Sequence, residues 1–198
     1  MPRPAVARAE RLELLTIAWN VVEVFVTVGL GVAARSLALV AFGLDSLVEI
    51  FASTVVLWQL RGEGSERTRH AMLLVALAFF ALAVVLSGGA AYTLAAGHRA
   101  DDSVWGVAYL ALTAVVMFSL ARRKWRLGAE LVNHPLEHEA RITFLDGCLA
   151  TGVLLALVST IAFGWWWADP LAAVIVAIAC VPEGLDAWRD WHDGMPVA

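Results

Sequence analysis

Charged residues are scarce in this chain. Asp, Glu, Lys and Arg make up 16% of its 198 residues, whereas about a quarter is usual in a soluble domain. This scarcity argues against an ordinary soluble protein. Only two cysteines are present, Cys148 and Cys180, and both lie within apolar stretches, so we expect no disulfide framework. The sequence contains no nucleotide-binding loop, zinc-protease motif or nucleophile elbow, and we therefore expect no enzymatic activity.

Apolar residues, by contrast, make up 61% of the chain and come in long runs. A helix needs roughly 20 predominantly apolar residues to cross a bilayer, and the sequence offers six runs near that length. They cover residues 12–33, 36–60, 71–96, 104–120, 142–163 and 166–181. The sequence thus predicts an all-α integral membrane protein with six transmembrane helices. Because little chain lies outside these runs, we expect a single domain, residues 1–198, with no soluble C-terminal domain.

The placement of basic residues predicts the orientation of these helices. If the N-terminus is cytoplasmic, twelve Lys and Arg residues fall on the cytoplasmic side and two, Arg35 and Arg99, on the other. Cytoplasmic loops of membrane proteins are enriched in Lys and Arg. We therefore expect both termini in the cytoplasm and a multi-pass protein of the cell membrane. The basic segment 122–126, including Lys124, is interpreted as part of this topology signal beside anionic lipid, and not as a nucleic-acid site.

Asp45 and Glu49 stand near the middle of the second apolar run, residues 36–60. A carboxylate at bilayer depth is costly and is seldom found there without a partner or a function. Because the two residues are four positions apart, they share a helix face and would repel each other if both were ionised. A bound cation, or protons that exchange with one, would relieve this repulsion. The pair therefore predicts a protein that handles a cation.

Two more predicted helices bring polar residues to the bilayer interior. The first contains Asn20 and Glu23 on one face, and the fifth contains Asp146 with Thr143 close by. Glu139 faces the same side as Asp146 but lies about 10.5 Å away along the helix, so we expect it at most to line the access path. Helices one, two and five are thus expected to form one polar cavity without a basic neighbour. Helices three, four and six are expected to act as scaffold.

Two motifs stand at the start of the second and sixth runs. The first is Ser36-Leu-Ala-Leu-Val-Ala-Phe-Gly-Leu-Asp45-Ser-Leu-Val-Glu49, and the second is Trp166-Trp-Ala-Asp169-Pro170-Leu-Ala-Ala. Both resemble the corresponding segments of the cation diffusion facilitator (cation efflux) family, and the six-span order matches as well. The resemblance implies a homodimeric exporter of divalent metals, commonly zinc, often in exchange for protons. It also implies that Asp45 and Glu49 are two of four intramembrane metal ligands and that Asp146 is the acid on helix five.

The sequence departs from the family pattern in two places. The position four before Asp146, where the family has His or Asp, is Ile142, which cannot coordinate a metal. The fourth ligand must then come from elsewhere: Glu23 is the leading substitute, with Thr143 or a water molecule as alternatives. The cytoplasmic domain that many members carry after helix six is missing from this sequence. The chain therefore resembles an atypical branch that consists of the transmembrane domain alone.

Three further features are interpreted as structural. Asp169 and Pro170 have the residue types of a helix N-cap and of the first position of a helix. Pro182 is expected to end or bend helix six. Four glycines are expected to permit close helix packing, namely Gly29, Gly31, Gly88 and Gly89.

The sequence as a whole predicts a divalent metal cation transporter that works in efflux by proton-coupled antiport. Its metal site is predicted at Asp45, Glu49, Asp146 and Glu23, with no resident cofactor. Zinc, manganese, iron and magnesium remain open as the cargo because the predicted ligands are oxygen atoms. The expected partners are the metal ion, protons, the lipid bilayer and a second copy of the chain, with no nucleic acid. The alternative is a non-transporting binding or regulatory membrane protein that retains the transporter scaffold.

Overall fold

The chain folds into six α-helices in a computed structural model that describes residues 3–60, 65–131 and 134–193. The helices are α1 (Arg3–Ala34), α2 (Leu37–Leu60), α3 (Ser65–Ala96), α4 (Val104–Leu131), α5 (His134–Phe163) and α6 (Ala168–Asp193). These described ranges contain no β-strand. The predicted all-α class is therefore confirmed.

Five of these helices are long and apolar enough to cross a membrane. Within the residues described, the candidate spans are Ala7–Ala34, Met72–Ala96, Val104–Glu130, Glu139–Phe163 and Ala168–Asp193. They belong to α1, α3, α4, α5 and α6, and they confirm a multi-pass membrane protein. α2 has 24 residues, a length of about 36 Å at 1.5 Å per residue. Its passage across the membrane stays a prediction, as does the cytoplasmic placement of both termini.

Both α4 and α6 are longer than the sequence predicts. The apolar runs end at residues 120 and 181, well before the helix ends given above. α6 therefore does not end at Pro182, and a bend at that residue stays a prediction. Gly184, just beyond that proline, is buried, and a Cβ added there would touch Phe79 and Phe80 of α3. This close packing keeps the last turns of α6 helical, because tertiary contacts override a weak local propensity.

The helices pack chiefly in three pairs, α1 with α2, α3 with α6, and α4 with α5. α2 also contacts α3, α5 and α6, and α1 contacts α4, so the pairs join into one bundle. The α3–α6 pair contributes apolar residues to the core, among them Val75, Phe79, Val176 and Ala177. Most buried polar residues lie instead on α1, α2, α4 and α5. The polar interior is therefore enclosed by these four helices.

The α1–α2, α3–α4 and α5–α6 connections lie at the same end of the bundle, here called the turn end. The opposite end, where α1 begins and α6 ends, is called the terminal end. At the turn end, Arg35 has a left-handed φ of 51°, and the amides of Arg35 and Ser36 donate to carbonyls of the last turn of α1 at 3.3 and 2.9 Å. This is a Schellman motif. The Asp101 amide donates to the Ala34 carbonyl at 2.7 Å, which attaches the α3–α4 connection to the end of α1.

Asp169 caps α2 and not its own helix. α6 begins at Ala168, and the Asp169 carboxylate accepts hydrogen bonds from the Ser36 hydroxyl and from the amides of Leu37 and Ala38, the amides at 2.9 and 3.4 Å. The first amides of a helix have no intrahelical partner, and here a residue of another helix supplies the acceptor. The prediction that Asp169 is the N-cap of helix six is therefore wrong.

Two glycines bring α1 and α2 into close contact. A Cβ on Gly31 would lie 2.7 Å from a side-chain carbon of α2, and a Cβ on Gly43 would lie 2.3 Å from Thr27 Oγ1 of α1. The predicted packing role of Gly31 is thus confirmed. A Cβ on Gly29 or Gly88, by contrast, would meet none of the described atoms of this chain within 4 Å, so the prediction is wrong for packing within the chain at those two positions.

Candidate metal centre

A stripe of buried polar residues runs along α1. Glu13, Thr16, Asn20, Glu23 and Thr27 are all 0% exposed. Their alternating spacing of three and four residues places them on one helix face, toward the helices that α1 contacts. Asn20 and Glu23 were predicted on this face from the sequence, whereas Glu13 was not. The signal that could have identified Glu13 is its position seven residues before Asn20, two helical turns away on the same face.

α2 supplies Asp45 and Glu49 to the same interior. Glu49 is buried: its Oε1 accepts a hydrogen bond from the Thr143 hydroxyl of α5 at 3.0 Å, and its Oε2 has no hydrogen-bond partner among the residues that the structure describes. Asp45 is partly buried, and its Oδ1 lies 3.6 Å from the Cys180 thiol sulfur of α6. α6 therefore brings a sulfur atom to the site. Helix six therefore does more than the scaffold role predicted for it, and the local sequence around Cys180 does not indicate this contact.

α5 presents Glu139, Thr143 and Asp146 on one buried face. Neither carboxylate oxygen of Asp146 has a hydrogen-bond partner in the described part of the chain. This carboxylate interacts electrostatically with the other three predicted ligands, which are Glu23 of α1 and Asp45 and Glu49 of α2. Ile142, one position away from Thr143, offers no donor atom. The structure thus turns acids from three helices toward a common interior.

The four predicted ligands, Asp45, Glu49, Asp146 and Glu23, face this interior without converging into a coordination shell. In the part of the chain that the structure describes, no group of three or more His, Cys, Asp or Glu side chains has the arrangement needed to hold a metal ion. Carboxylates without a neutralising charge repel one another. Protonation or a bound cation would remove this repulsion.

Many buried polar atoms of this interior have no hydrogen-bond partner among the described residues. They are both carboxylate oxygens of Glu23 and of Asp146, Glu49 Oε2, both amide atoms of Asn20 and the Thr113 hydroxyl. Each unpaired buried polar group costs about 1–3 kcal/mol, so such a concentration in one place calls for an explanation. Carboxylate, amide and hydroxyl oxygens are ligands that divalent cations accept, together with water. The donor set fits a hydrated divalent cation.

A lysine is buried beside this interior. Lys124 of α4 is 0% exposed, and its Nζ donates to Glu13 Oε2 at 3.2 Å and to Glu139 Oε1 and Thr143 Oγ1, both at 3.1 Å. The acids therefore do have a basic neighbour and helix four is more than scaffold, so these two predictions are wrong. Lys124 itself faces the interior, whereas the topology role of segment 122–126 stays a prediction. Lys124 is buried because it lies seven residues, or about two helical turns, after the buried Met117 and so shares the same face of α4.

Comparison with known proteins identifies the family. Residues 14–190 match the family model described as the cation efflux transmembrane domain. A curated relative, the cadmium, cobalt and zinc/H(+)-K(+) antiporter of Bacillus subtilis (strain 168), is 46% identical over 41 residues, which is 21% of this chain and 13% of that protein. The matched segment is thus a small part of that relative's length. Because the family match extends over most of the chain, this protein belongs to the cation efflux family, whose members are membrane transporters of divalent metal cations and not enzymes.

Proposed function

We propose that this protein exports a divalent metal cation in exchange for protons and holds the ion at Asp45, Glu49 and Asp146, with Glu23 assisting. Family membership supports metal efflux. The observation that supports the site is the set of buried carboxylate oxygens on α1, α2 and α5 that have no hydrogen-bond partner among the described residues. Acids inside a membrane are costly, and they mark ion pathways. A cargo ion that neutralises them explains why three helices each bring an acid to one interior.

Glu23 is the better candidate for the fourth ligand. Both of its carboxylate oxygens are buried and have no hydrogen-bond partner among the described residues. The Thr143 hydroxyl, the alternative, already donates to Glu49 and accepts from Lys124. Its oxygen is therefore less available to a metal. These contacts support a site completed from α1, where this chain has Ile142 in place of the family's ligand on α5.

The same carboxylates are proposed to bind protons when the metal has left. Two protons carry the charge of one divalent ion, so an exchange between them leaves the net charge of the interior unchanged. A protonated carboxylic acid is a poor metal ligand, and the two cargoes therefore exclude each other. Exchange then needs no separate proton relay.

Zinc is the first cargo to test, with manganese and iron as further candidates. Carboxylate oxygens would accept any of these ions, whereas a thiol is a soft donor that favours zinc over manganese. The Cys180 sulfur, 3.6 Å from Asp45 Oδ1, supports zinc for this reason. The Bacillus subtilis relative is named for cadmium, cobalt and zinc, and we propose an overlapping range. A homodimer in the cell membrane belongs to the same proposal, supported by resemblance to the family.

Metal-driven proton movement in proteoliposomes tests the proposal. Zinc or manganese is added outside vesicles that contain the purified protein and a pH-sensitive dye. We expect flux with the wild type and a loss of about tenfold or more with Asp45→Asn and with Asp146→Asn. Asp101→Asn is the matched control, because it removes a carboxylate at the turn end whose side chain is 59% exposed. This control should transport as the wild type does.

Two results would count against the proposal in different ways. Transport that survives in both Asp45→Asn and Asp146→Asn would contradict the site. Folded wild-type protein that binds zinc and moves neither metal would instead favour the alternative, a binding or regulatory protein that retains the transporter scaffold.

A further inference from the structure

Lys124 is the only lysine in the chain, and its ammonium group lies wholly inside the bundle. Its three hydrogen bonds go to Glu13, Glu139 and Thr143. Ser53 of α2 donates to Glu139 Oε1 at 2.6 Å. Residues from four helices thus meet in one cluster, which we call the Lys124 layer: Glu13 of α1, Ser53 of α2, Lys124 of α4 and Glu139 of α5.

The Lys124 layer lies between the acidic interior and the terminal end of the bundle. On its inner side, the Thr143 hydroxyl accepts from Lys124 and donates to Glu49, so a continuous hydrogen-bonded path reaches the predicted metal ligands. On its outer side, about one helical turn farther, α1, α4 and α5 form a small buried apolar cluster of Ala9, Leu127 and Leu136. An ion that moves between the acidic interior and the terminal end therefore meets this layer on its way.

The Lys124 layer contains more acid than base. Two carboxylates, Glu13 and Glu139, face one ammonium group, and Glu13 Oε1 is buried with no hydrogen-bond partner among the described residues. An ammonium group is a compact point charge on a flexible stem. It sits here between carboxylate and hydroxyl oxygens, which are the ligands that a divalent cation takes in oxygen-rich sites. Lys124 thus occupies the place of a bound cation while tethered to α4.

We propose that Glu13 and Glu139 form a second cation site, which the Lys124 ammonium fills at rest and which a divalent ion occupies in passing. A divalent ion neutralises both carboxylates, whereas the ammonium group neutralises only one. The displaced ammonium returns when the ion leaves, so the path is closed unless an ion is present. The inference rests on the proposed function for the identity of the cargo, but the second site can be measured without transport.

The number of zinc ions bound by the purified full chain tests the second site. Equilibrium dialysis is expected to give one zinc ion per chain for the wild type, bound in the acidic interior. Lys124→Met keeps the length of the side chain, removes its charge and is expected to bind two. Adding Glu13→Gln and Glu139→Gln to that variant should return the number to one, and Lys124→Arg, which keeps the charge, should stay at one. A folded Lys124→Met protein that binds no more zinc than the wild type would overturn the proposal.

Asp146→Asn separates this inference from the proposed function. The substitution should remove the ion of the acidic interior and leave the additional ion that Lys124→Met binds. If Asp146→Asn leaves the number of bound zinc ions unchanged, the proposed metal site fails, while the additional ion in Lys124→Met still supports the second site.

The wild-type protein provides the test if Lys124→Met does not fold, since truncating one member of a buried ion pair is often strongly destabilising. Acetic anhydride acylates accessible amines, and Lys124 is the only side-chain amine in the chain. Mass spectrometry of protein in lipid nanodiscs should show Lys124 protected without zinc and acetylated several-fold faster with it. The N-terminal amine serves as the reference. Equal acetylation of Lys124 with and without zinc would overturn the proposal.

Discussion

Substituting Gly43 by alanine should push α1 and α2 apart where they are in close contact. The added Cβ would lie 2.3 Å from Thr27 Oγ1 and 2.8 Å from Val28 Cγ2. Non-bonded carbon and oxygen atoms approach to about 3.3 Å, and two carbon atoms to about 3.5 Å, so the helices must separate by about 1 Å. Rotation of Thr27 does not relieve the clash without loss, because its buried hydroxyl donates to the Glu23 carbonyl at 2.7 Å.

Gly43→Ala changes the free energy of unfolding in two opposite ways, through helix propensity and through packing. Alanine in place of glycine inside a helix stabilises by about 1 kcal/mol, whereas overpacking of a tight contact costs about 1–3 kcal/mol. We therefore expect a net loss of up to about 2 kcal/mol in the free energy of unfolding. Metal binding should suffer separately, because Glu23 lies one turn before Thr27 and moves with it away from Asp45 and Glu49. We expect the zinc affinity to fall about tenfold, which corresponds to about 1.4 kcal/mol.

Thermal unfolding in detergent and zinc titration measure these two effects. Gly29→Ala is the matched control on α1, because a Cβ at that position meets no atom within 4 Å. It should be at least as stable as the wild type and should bind zinc equally well. If Gly43→Ala matches Gly29→Ala in both measurements, the reasoning that this contact sets the spacing between Glu23 and the acids of α2 is refuted.

Other predictions concern helix ends and pH. Asp169→Ala should leave the Leu37 and Ala38 amides of α2 without their acceptor, although Ser36 Oγ still accepts from the Leu39 amide, and lower the free energy of unfolding by about 1 kcal/mol; an unchanged thermal midpoint would contradict the capping role. Arg35→Gly should raise stability by about 1 kcal/mol, because glycine adopts a left-handed φ without the clash of a Cβ. A less stable variant would show that the exposed ion pair of Arg35 with Asp101, at 3.5 Å, contributes more than this strain. Zinc binding should weaken as the pH falls, since carboxylate ligands must lose their protons to bind metal; equal affinities at acidic and neutral pH would argue against carboxylate ligation.

The helical fold and part of the polar interior could be predicted because they depend on local patterns. An apolar run of sufficient length indicates a membrane helix whatever surrounds it. Spacings of three and four residues place Asn20 with Glu23, and Asp45 with Glu49, on one face before any partner is known. Helix ends are less predictable. Pro182 weakens a helix locally, but α6 continues because Gly184 packs against α3, a contact that the local sequence does not specify.

Lys124 and Asp169 depend on information that the local sequence does not contain. The basic segment 122–126 satisfies the positive-inside pattern in whichever direction each side chain points. Only the phase of α4, continued beyond its apolar run, turns Lys124 toward Glu13 and Glu139. Asp169 followed by Pro170 has the composition of a helix start, yet the amide that it caps most closely is 132 positions away in the chain. Such pairings are set by the packing of the helices against one another.

Different interactions hold the helices together at the two ends of the bundle. At the turn end, Asp169 and Asp101 hold backbone groups of α2 and α1 directly. At the terminal end, α1, α4 and α5 are joined by side chains: the Lys124 ammonium pairs with Glu13 and Glu139, and Ala9, Leu127 and Leu136 pack beside them. The turn end is therefore held through main-chain groups, whereas the terminal end depends on a charged side chain. A change of charge at Glu13, Lys124 or Glu139 consequently acts on the packing of three helices at that end.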